Sequence, residues 1–324
     1  MRPDTHTDLA RLDGRIAELL DTSPSFLSDL RRLTLSSRGK KLRGRIILVL
    51  GDFLSADGEK LLEAAAAVET VHLATLIHDD IIDRADRRRS GTALHRSKGI
   101  VPAVLYGDIL FTRGAAAIHS IGKRRLTELF LATVHSLCSG EILESELAGR
   151  FPWKVRDYYR VIDLKTASLF RFCCRAPGII AGLGGRRLEV LDRFGFNLGI
   201  FYQICDDCMD FAPSSPSSGK IGLMDLKNGV PNLPVALAAR DPHLKEMLAK
   251  ALRPGADNSR VRRLAALVRK GGFVRKAGRT ASVYLDSAQD DLKTIRAWGK
   301  ERSPGLLEGY MEELGRLLTR AAGD

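Results

Sequence analysis

Six aspartates recur as two D-D-x-x-D groups, Asp79, Asp80 and Asp83 in "LIHDDIIDRADRRRSGT" and Asp206, Asp207 and Asp210 in "FYQICDDCMDF". Three carboxylates gathered in one place repel one another and are costly beside apolar surface unless cations compensate them. Oxygen ligands without a supporting set of His or Cys select a hard cation, and Mg²⁺ binds through one or two protein carboxylates together with substrate phosphates. Two such groups facing each other would hold a diphosphate through bridging Mg²⁺. One group alone reads equally well as a solvated acidic helix face; the repetition of the spacing favours a metal–diphosphate site.

The second group is interleaved with a C-x-x-C pair, Cys205 and Cys208, which elsewhere would suggest redox or metal chemistry. A helix turns about 100° per residue, so with Asp206 at 0° Asp210 lies at about 40°, Asp207 at about 100°, and the two cysteines at about 260° and 200°. The carboxylates therefore share a face, and the thiols point into helix packing, where Cys behaves as a small hydrophobe. Basic residues accompany the acids: Arg88 and Arg89 after the first group, Lys40, Lys41 and Arg43 in a Gly-flanked loop, Lys165 before Thr166, and Lys220 after the second group. Each alone is an ordinary surface charge, whereas together they suit direct binding of diphosphates. His72, seven residues before Asp79, falls within about 20° of the same helix face.

The elements that must position these residues read as helices. "GRIAELLDTSPSFLSDLRRL", "EKLLEAAAAVETVHLATLIHDDIIDRAD", "LTELFLATVHSLCSGEILESELAG" and "GLLEGYMEELGRLLTRA" all show apolar residues at intervals of three and four among strong helix formers. Breakers such as "SSRGKKLRG", "RRRSGT", "GLGG", "APSSPSSGKIG", "RPGADN" and "KGG" separate them. Strand-like alternation is scarce. No repeat of fixed period and no compositional linker appears, so residues 1–324 are expected to form a single all-α domain, a large helical bundle with a central cavity. Residues 212–220, rich in Ser and Pro, read as a mobile loop beside the second acidic group.

Composition narrows the function classes. The chain has 324 residues, 44% of them hydrophobic, which suffices for a buried core, and no uninterrupted apolar run approaches the roughly 20 residues a membrane span needs. The N-terminal segment carries acids where a secretory signal needs an apolar core, so the expected location is cytoplasmic. Of the five cysteines, Cys173 and Cys174 are adjacent and Cys138 stands alone, a spacing of neither a disulfide framework nor a zinc site. The net charge of +12 is spread along the chain, with runs at "RADRRRSG" and "RVRRLAALVRKGGFVRKAGR", and no zinc-finger or basic-zipper pattern accompanies it. The expected partners are accordingly polyanionic small molecules and not nucleic acid, with weak attraction to anionic membrane surfaces.

Taken together, these motifs resemble the trans-isoprenyl diphosphate synthases, or polyprenyl synthetases. "RGKKLRG" looks like that family's isopentenyl-diphosphate loop, "VHLATLIHDDIIDRADRRRSG" its first aspartate-rich motif, "LKTASLF" its Lys-Thr motif and "FYQICDDCMDF…GK" its second aspartate-rich motif. The match runs in order from about residue 35 to residue 235; beyond that the likeness is only helical character. The resemblance implies an isoprenoid synthase-like fold, in which Asp79, Asp83 and Asp206 bind Mg²⁺ directly and Asp80, Asp207 and Asp210 support them. It further implies that Arg88, Lys165 and Lys220 hold an allylic diphosphate, that Lys40, Arg43, His72 and Arg89 hold isopentenyl diphosphate, and that Thr166 and Gln203 stabilise a carbocation by their dipoles. A homodimer is the family's usual assembly.

Four positions depart from the pattern: Ser90 replaces a Gly after the arginine pair, Gly44 a common Pro, Val230 a second Lys, and Glu144 a frequent Gln after "GEIL". The product is expected to exceed C15, because the positions four and five before Asp79 are Thr75 and Ala74, without a bulky ring to block a chain growing along that helix. A side chain from a neighbouring helix would close that path earlier and give geranylgeranyl diphosphate. A terpene cyclase is disfavoured by the all-aspartate second motif, and a non-catalytic partner subunit by the intact aspartates and arginine pair.

Overall fold

The computed structural model describes residues 5–21, 28–36, 39–88, 91–211, 226, 228–252, 258–298 and 305–322. The described residues are all-α apart from a short hairpin. Its elements are α1 (Thr5–Leu20), α2 (Ser28–Ser36), α3 (Leu42–Phe53), α4 (Gly58–Ile82), β1 (Arg87–Arg88), β2 (Gly91–Thr92), α5 (Leu94–Lys98), α6 (Ile100–Ser120), α7 (Arg124–Leu147), α8 (Val155–Ile162), a π-helical turn (Asp163–Ala167), α9 (Ser168–Ile180), α10 (Gly185–Met209), α11 (Leu233–Ala238), α12 (Pro242–Ala251), α13 (Asn258–Lys270), α14 (Phe273–Arg296) and α15 (Leu306–Ala322). The stretch read as one helix over 14–33 is thus two, α1 and α2, with Pro24 in the undescribed stretch between them; proline removes a helical donor and restricts the residue before it. The 212–220 segment lies outside the described residues.

Contacts divide the chain into two units. The first comprises residues 1–132, 172–191 and 295–307, and the second residues 133–171, 192–294 and 308–324. In the first unit α4 is the central element, with α1, α3 and α6 packed on it. Its residues Leu61, Ala64 to Val68, Thr70, Val71, Leu73, Ala74 and Ile77 are all buried, as expected for a helix apolar on every side. Asp57 caps its start, its carboxylate accepting from the N–H groups of Glu59 and Lys60 at 3.1 and 3.2 Å. Two glycines bring α6 close: a Cβ on Gly114 would lie 2.6 Å from Val71 Cγ2, and one on Gly107 2.2 Å from the His78 ring.

By length and composition α4 and α6 are apolar enough to cross a membrane, although isolated charged residues interrupt the apolar run in each. In α4 the apolar window is 67% buried within the protein and in α6 33%. The apolarity of α4 is accounted for by the core it occupies.

In the second unit the π-helical turn is gripped by glycines from two helices. A Cβ on Gly140 of α7 would sit 2.6 Å from the Lys165 N atom; on Gly195 of α10, 2.6 Å from Phe170 O; and on Gly199 of α10, 2.4 Å from Ala167 Cα. These approaches leave no room for side chains and hold Lys165 and Thr166 against α7 and α10. π-Helical turns occur frequently at functional sites.

Candidate active site

In the first unit the loop before α3 is fastened at three points. Lys41 adopts the left-handed conformation (φ 52°, ψ 41°) and its Nζ lies 2.5 Å from Asp13 Oδ2 of α1. The Gly44 N–H donates to Glu69 Oε1 of α4 at 2.7 Å, and Arg43 Nη1 stands 3.1 Å from His72 Nε2. A guanidinium has only donors, so His72 accepts through Nε2 and carries its proton on Nδ1. Burial raises the carboxyl of Glu69, while the Gly44 N–H and the charges of Arg43 and Lys41 draw it back. Of the residues expected to hold isopentenyl diphosphate, Arg43 and His72 are brought together, Lys40 is exposed on the same loop, and Arg89 lies outside the described residues. Sequence reasoning missed Glu69 and Asp13; the one available signal for Glu69 was an acid within the apolar run "AAAAVETV".

The first aspartate group sits where α4 ends. Asp79 is half-buried, Asp80 is buried, and Asp83 is exposed as the C-cap, so it lies just past the helix on which it was expected. The end is a Schellman closure: Arg84 N–H donates to Ile81 O at 3.1 Å and Ala85 N–H to Asp80 O at 2.9 Å. Arg84 occupies the left-handed position (φ 52°) that glycine usually takes. The β1–β2 hairpin follows, with Arg87 opposite Thr92 and Arg88 opposite Gly91. Arg88 is placed by its backbone in β1, and Ser90 lies outside the described residues. His78 turns toward α6, its Nε2 3.0 Å from Val104 O.

Phe130 of α7 comes within 3.6 Å of a Cβ built on Gly114, the same position that approaches Val71, and packs edge-on against Phe172 with centroids 5.4 Å apart.

In the second unit the aspartates of α10 point in different directions. Asp206 is exposed, Asp210 half-buried and Asp207 buried. A chain of hydrogen bonds runs from the Thr166 hydroxyl to Gln203 Oε1 at 2.7 Å and from Gln203 Nε2 to Asp207 Oδ1 at 3.0 Å; the other Asp207 oxygen accepts from Leu233 N–H at 3.1 Å. Asp207 thus departs from the shared face expected for the group: it anchors the start of α11. Burial pushes its carboxyl up to about 7 against the pull of those donors. The buried Tyr158 hydroxyl is near enough to be influenced by Asp207 but meets no partner at hydrogen-bonding geometry. Cys205 and Cys208 are buried, Cys208 Sγ lies 3.7 Å from Val274 O, and burial raises both thiols, so they pack as neutral groups as the helical wheel indicated.

Lys165 reaches back to α7, where its Nζ is 2.7 Å from Glu141 Oε2 and also hydrogen-bonds Glu144 Oε1. The expected diphosphate ligand therefore has two carboxylate partners from one helix face. Lys220 lies outside the described residues.

The donor chemistry suits a divalent cation. Both aspartate groups end 25-residue helices whose last turns hold no basic residue. The helix macrodipole places partial negative charge at that end, so three further carboxylates there add repulsion that a cation relieves. Among the described residues no three His, Cys, Asp or Glu side chains form a ready-made cluster. That fits an ion held by one or two carboxylates and completed by phosphate oxygens and water.

Known proteins resemble the chain in sequence and in structure. The sequence model of the polyprenyl synthetase family matches residues 24–269. Octaprenyl diphosphate synthase of Escherichia coli (strain K12) is 30% identical over 253 residues, covering 78% of each chain. Heptaprenyl diphosphate synthase component 2 of Geobacillus stearothermophilus is 29% identical over 281 residues, covering 87% of this chain and 88% of its own. Among solved structures, a polyprenyl synthase from Caulobacter crescentus CB15, complexed with calcium and isoprenyl diphosphate, superposes with a TM-score of 0.87 at 26% identity, covering 98% of this chain and 95% of that one.

Proposed function

This chain belongs to the polyprenyl synthetase family and is a prenyltransferase, and we propose that it condenses isopentenyl diphosphate with an allylic diphosphate, in a Mg²⁺-dependent reaction, to an all-trans polyprenyl diphosphate longer than C15. The observation that carries the metal dependence is the pair of long helices ending on D-D-x-x-D without a basic residue in either last turn. Asp79, Asp83 and Asp206 would hold Mg²⁺, with Asp80, Asp207 and Asp210 behind them; bound Mg²⁺ supplies charge neutralisation at the diphosphate. Arg88, Lys165 and Lys220 grip the allylic diphosphate, and their charge stabilises it as a leaving group when the C–O bond ionises. Lys40, Arg43, His72 and Arg89 bind isopentenyl diphosphate, whose double bond attacks the carbocation. Thr166 and Gln203 direct their dipoles at that cation, and the proton is lost to the released diphosphate.

The long-chain reading, toward the tails of quinones, is supported by small residues at Thr75 and Ala74 and by the octaprenyl and heptaprenyl relatives. Phe130 with Phe172 is the side-chain barrier that would end elongation; Val71, beside it, precedes Asp79 by eight residues, about 12 Å along the helix. A homodimer is supported by the exposed apolar face of α6, with Ile100, Val101 and Leu105 each more than half exposed. A cytoplasmic enzyme with weak affinity for anionic membranes accords with the basic charge, and vesicle co-sedimentation at low salt tests that affinity. A second reading, a catalytic component that needs a partner subunit, is favoured by the Geobacillus relative, which is itself component 2 of a heptaprenyl diphosphate synthase.

The test is incubation of the purified chain with Mg²⁺, labelled isopentenyl diphosphate and dimethylallyl, geranyl, farnesyl or geranylgeranyl diphosphate, with products sized by chromatography. A ladder beyond C20 that Asp79→Ala and Asp206→Ala abolish in folded protein supports the proposal, and Phe130→Ala should extend it. Termination at C20 would replace it with a geranylgeranyl diphosphate synthase. Products appearing only when a partner component is added would support the second reading. Turnover undiminished by a metal chelator would refute the metal dependence.

A further inference from the structure

We propose that Glu144 is a positioning residue that competes with the allylic diphosphate for Lys165, so that this carboxylate weakens the enzyme's grip on its allylic substrate. The inference rests on the reading of Lys165 as a diphosphate ligand. Glu141 and Glu144 stand three residues apart on α7, a spacing that puts both on one face, and both meet the Lys165 ammonium. The side chains of Lys165, Glu141 and Glu144 are 27%, 19% and 16% exposed, so water screens their interaction only partly. Both carboxylates thus engage the ammonium that a diphosphate would have to take as its ligand.

The backbone offers no escape from this arrangement. Gly140 lets α7 approach so closely that a Cβ there would lie 2.6 Å from the Lys165 N atom, and Gly199 presses the π-helical turn from α10. Releasing Lys165 to a diphosphate is therefore a side-chain rotation, opposed by the two glutamates. Glu144 is the stronger of the two holders, since it makes a hydrogen bond as well as an ion pair and is the less exposed. A glutamine there would keep the volume and an acceptor oxygen and remove the charge.

Steady-state kinetics on the full chain should compare wild type with Glu144→Gln, Lys165→Ala and the double variant, varying farnesyl diphosphate and isopentenyl diphosphate separately. Calorimetric binding of farnesyl diphosphate with Mg²⁺, in the absence of isopentenyl diphosphate, gives a readout independent of turnover. The expected result for Glu144→Gln is a KM and Kd for farnesyl diphosphate lower by about three- to tenfold, with the KM for isopentenyl diphosphate unchanged. The gain should vanish in the double variant. Because the prediction is tighter binding, damage to the fold cannot imitate it. Should Lys165→Ala weaken farnesyl diphosphate binding while Glu144→Gln leaves it unchanged or weaker, the competition is overturned and the role of Lys165 stands. Should Lys165→Ala leave farnesyl diphosphate binding untouched, the assignment of Lys165 fails and the competition with it.

Discussion

Gly199→Ala isolates what the packing of α10 on the π-helical turn contributes. A methyl carbon at this position would lie 2.4 Å from Ala167 Cα, 2.8 Å from Ala167 Cβ and 3.2 Å from Ala167 N. Carbon atoms rest at about 3.5–4.0 Å, so the turn and helix must part by about 1 Å, and since the opposing atoms are backbone and Cβ no rotamer change relieves the clash. A shift of that size stretches the 2.7 Å hydrogen bond between Thr166 and Gln203 past hydrogen-bonding length. Overpacking costs about 1–3 kcal/mol and the lost bond about 1 kcal/mol, against about 1 kcal/mol returned by replacing a mid-helix glycine with alanine. The net expectation is a destabilisation of about 1–3 kcal/mol, with turnover lost beyond any loss of folded enzyme, since Lys165 and Thr166 move with the turn. Urea denaturation followed by circular dichroism, alongside kinetics under folding conditions, measures both. Gly278→Ala in α14 is the internal control, because a Cβ there meets nothing within 4 Å and should gain up to about 1 kcal/mol. If Gly199→Ala proves as stable and active as Gly278→Ala, the close approach does not position the turn.

Three further perturbations separate strain, charge and packing. Arg84→Gly should raise the thermal midpoint by relieving a left-handed non-glycine residue, a gain of up to about 1 kcal/mol after the entropy of glycine is deducted; a fall would show that the exposed Arg84 contributes more than its strain costs. Glu69→Gln keeps an acceptor for the Gly44 N–H and removes the titration. Since burial raises the folded-state pKa of Glu69, stability from its protonated form is fully present below the ordinary carboxylate range and is lost as pH rises through the raised value, so wild type should lose stability relative to the variant as pH increases above about 4.3. Parallel melting curves from pH 4 to pH 8 would contradict that sign. Replacing Cys205 and Cys208 together by Ala should lower stability by about 1 kcal/mol per site while turnover per folded molecule stays unchanged, and metal-dependent activity lost in a fully folded double variant would contradict the packing role.

What was legible in the sequence was whatever the helical period alone decides. The burial of Cys205 and Cys208 beside an exposed Asp206 followed from 100° steps. What escaped was set by residues distant in sequence. Asp207 turns inward because the N–H of Leu233, 26 residues later, needs its carboxylate, and Lys165 is held by glutamates 21 and 24 residues earlier on α7. Nor does any local pattern announce that Gly140 and Gly199 converge on one turn: a glycine within a helix reads as a weak helix former until the opposing backbone is known.

The two D-D-x-x-D groups share a division that their common spacing makes intelligible. In each adjacent pair the second aspartate is the buried one, Asp80 at 8% exposure and Asp207 at 5%, while the first is half-buried or exposed. Neighbouring helical residues point about 100° apart, so an adjacent pair cannot address one ion equally, whereas residues four apart nearly can. The spacing therefore turns the second carboxylate of each group inward, away from the first and last, which lie about 40° apart around the helix. For Asp207 that inward role is explicit, since both its oxygens are engaged by Gln203 and Leu233. Glu69 plays the same part behind the cationic loop, where its buried oxygen holds Gly44 while Arg43 meets His72. Burial thus distinguishes two kinds of acid where residue type does not: those that stay at the surface, such as Asp206, and those that turn inward to hold a backbone N–H, as Asp207 and Glu69 do.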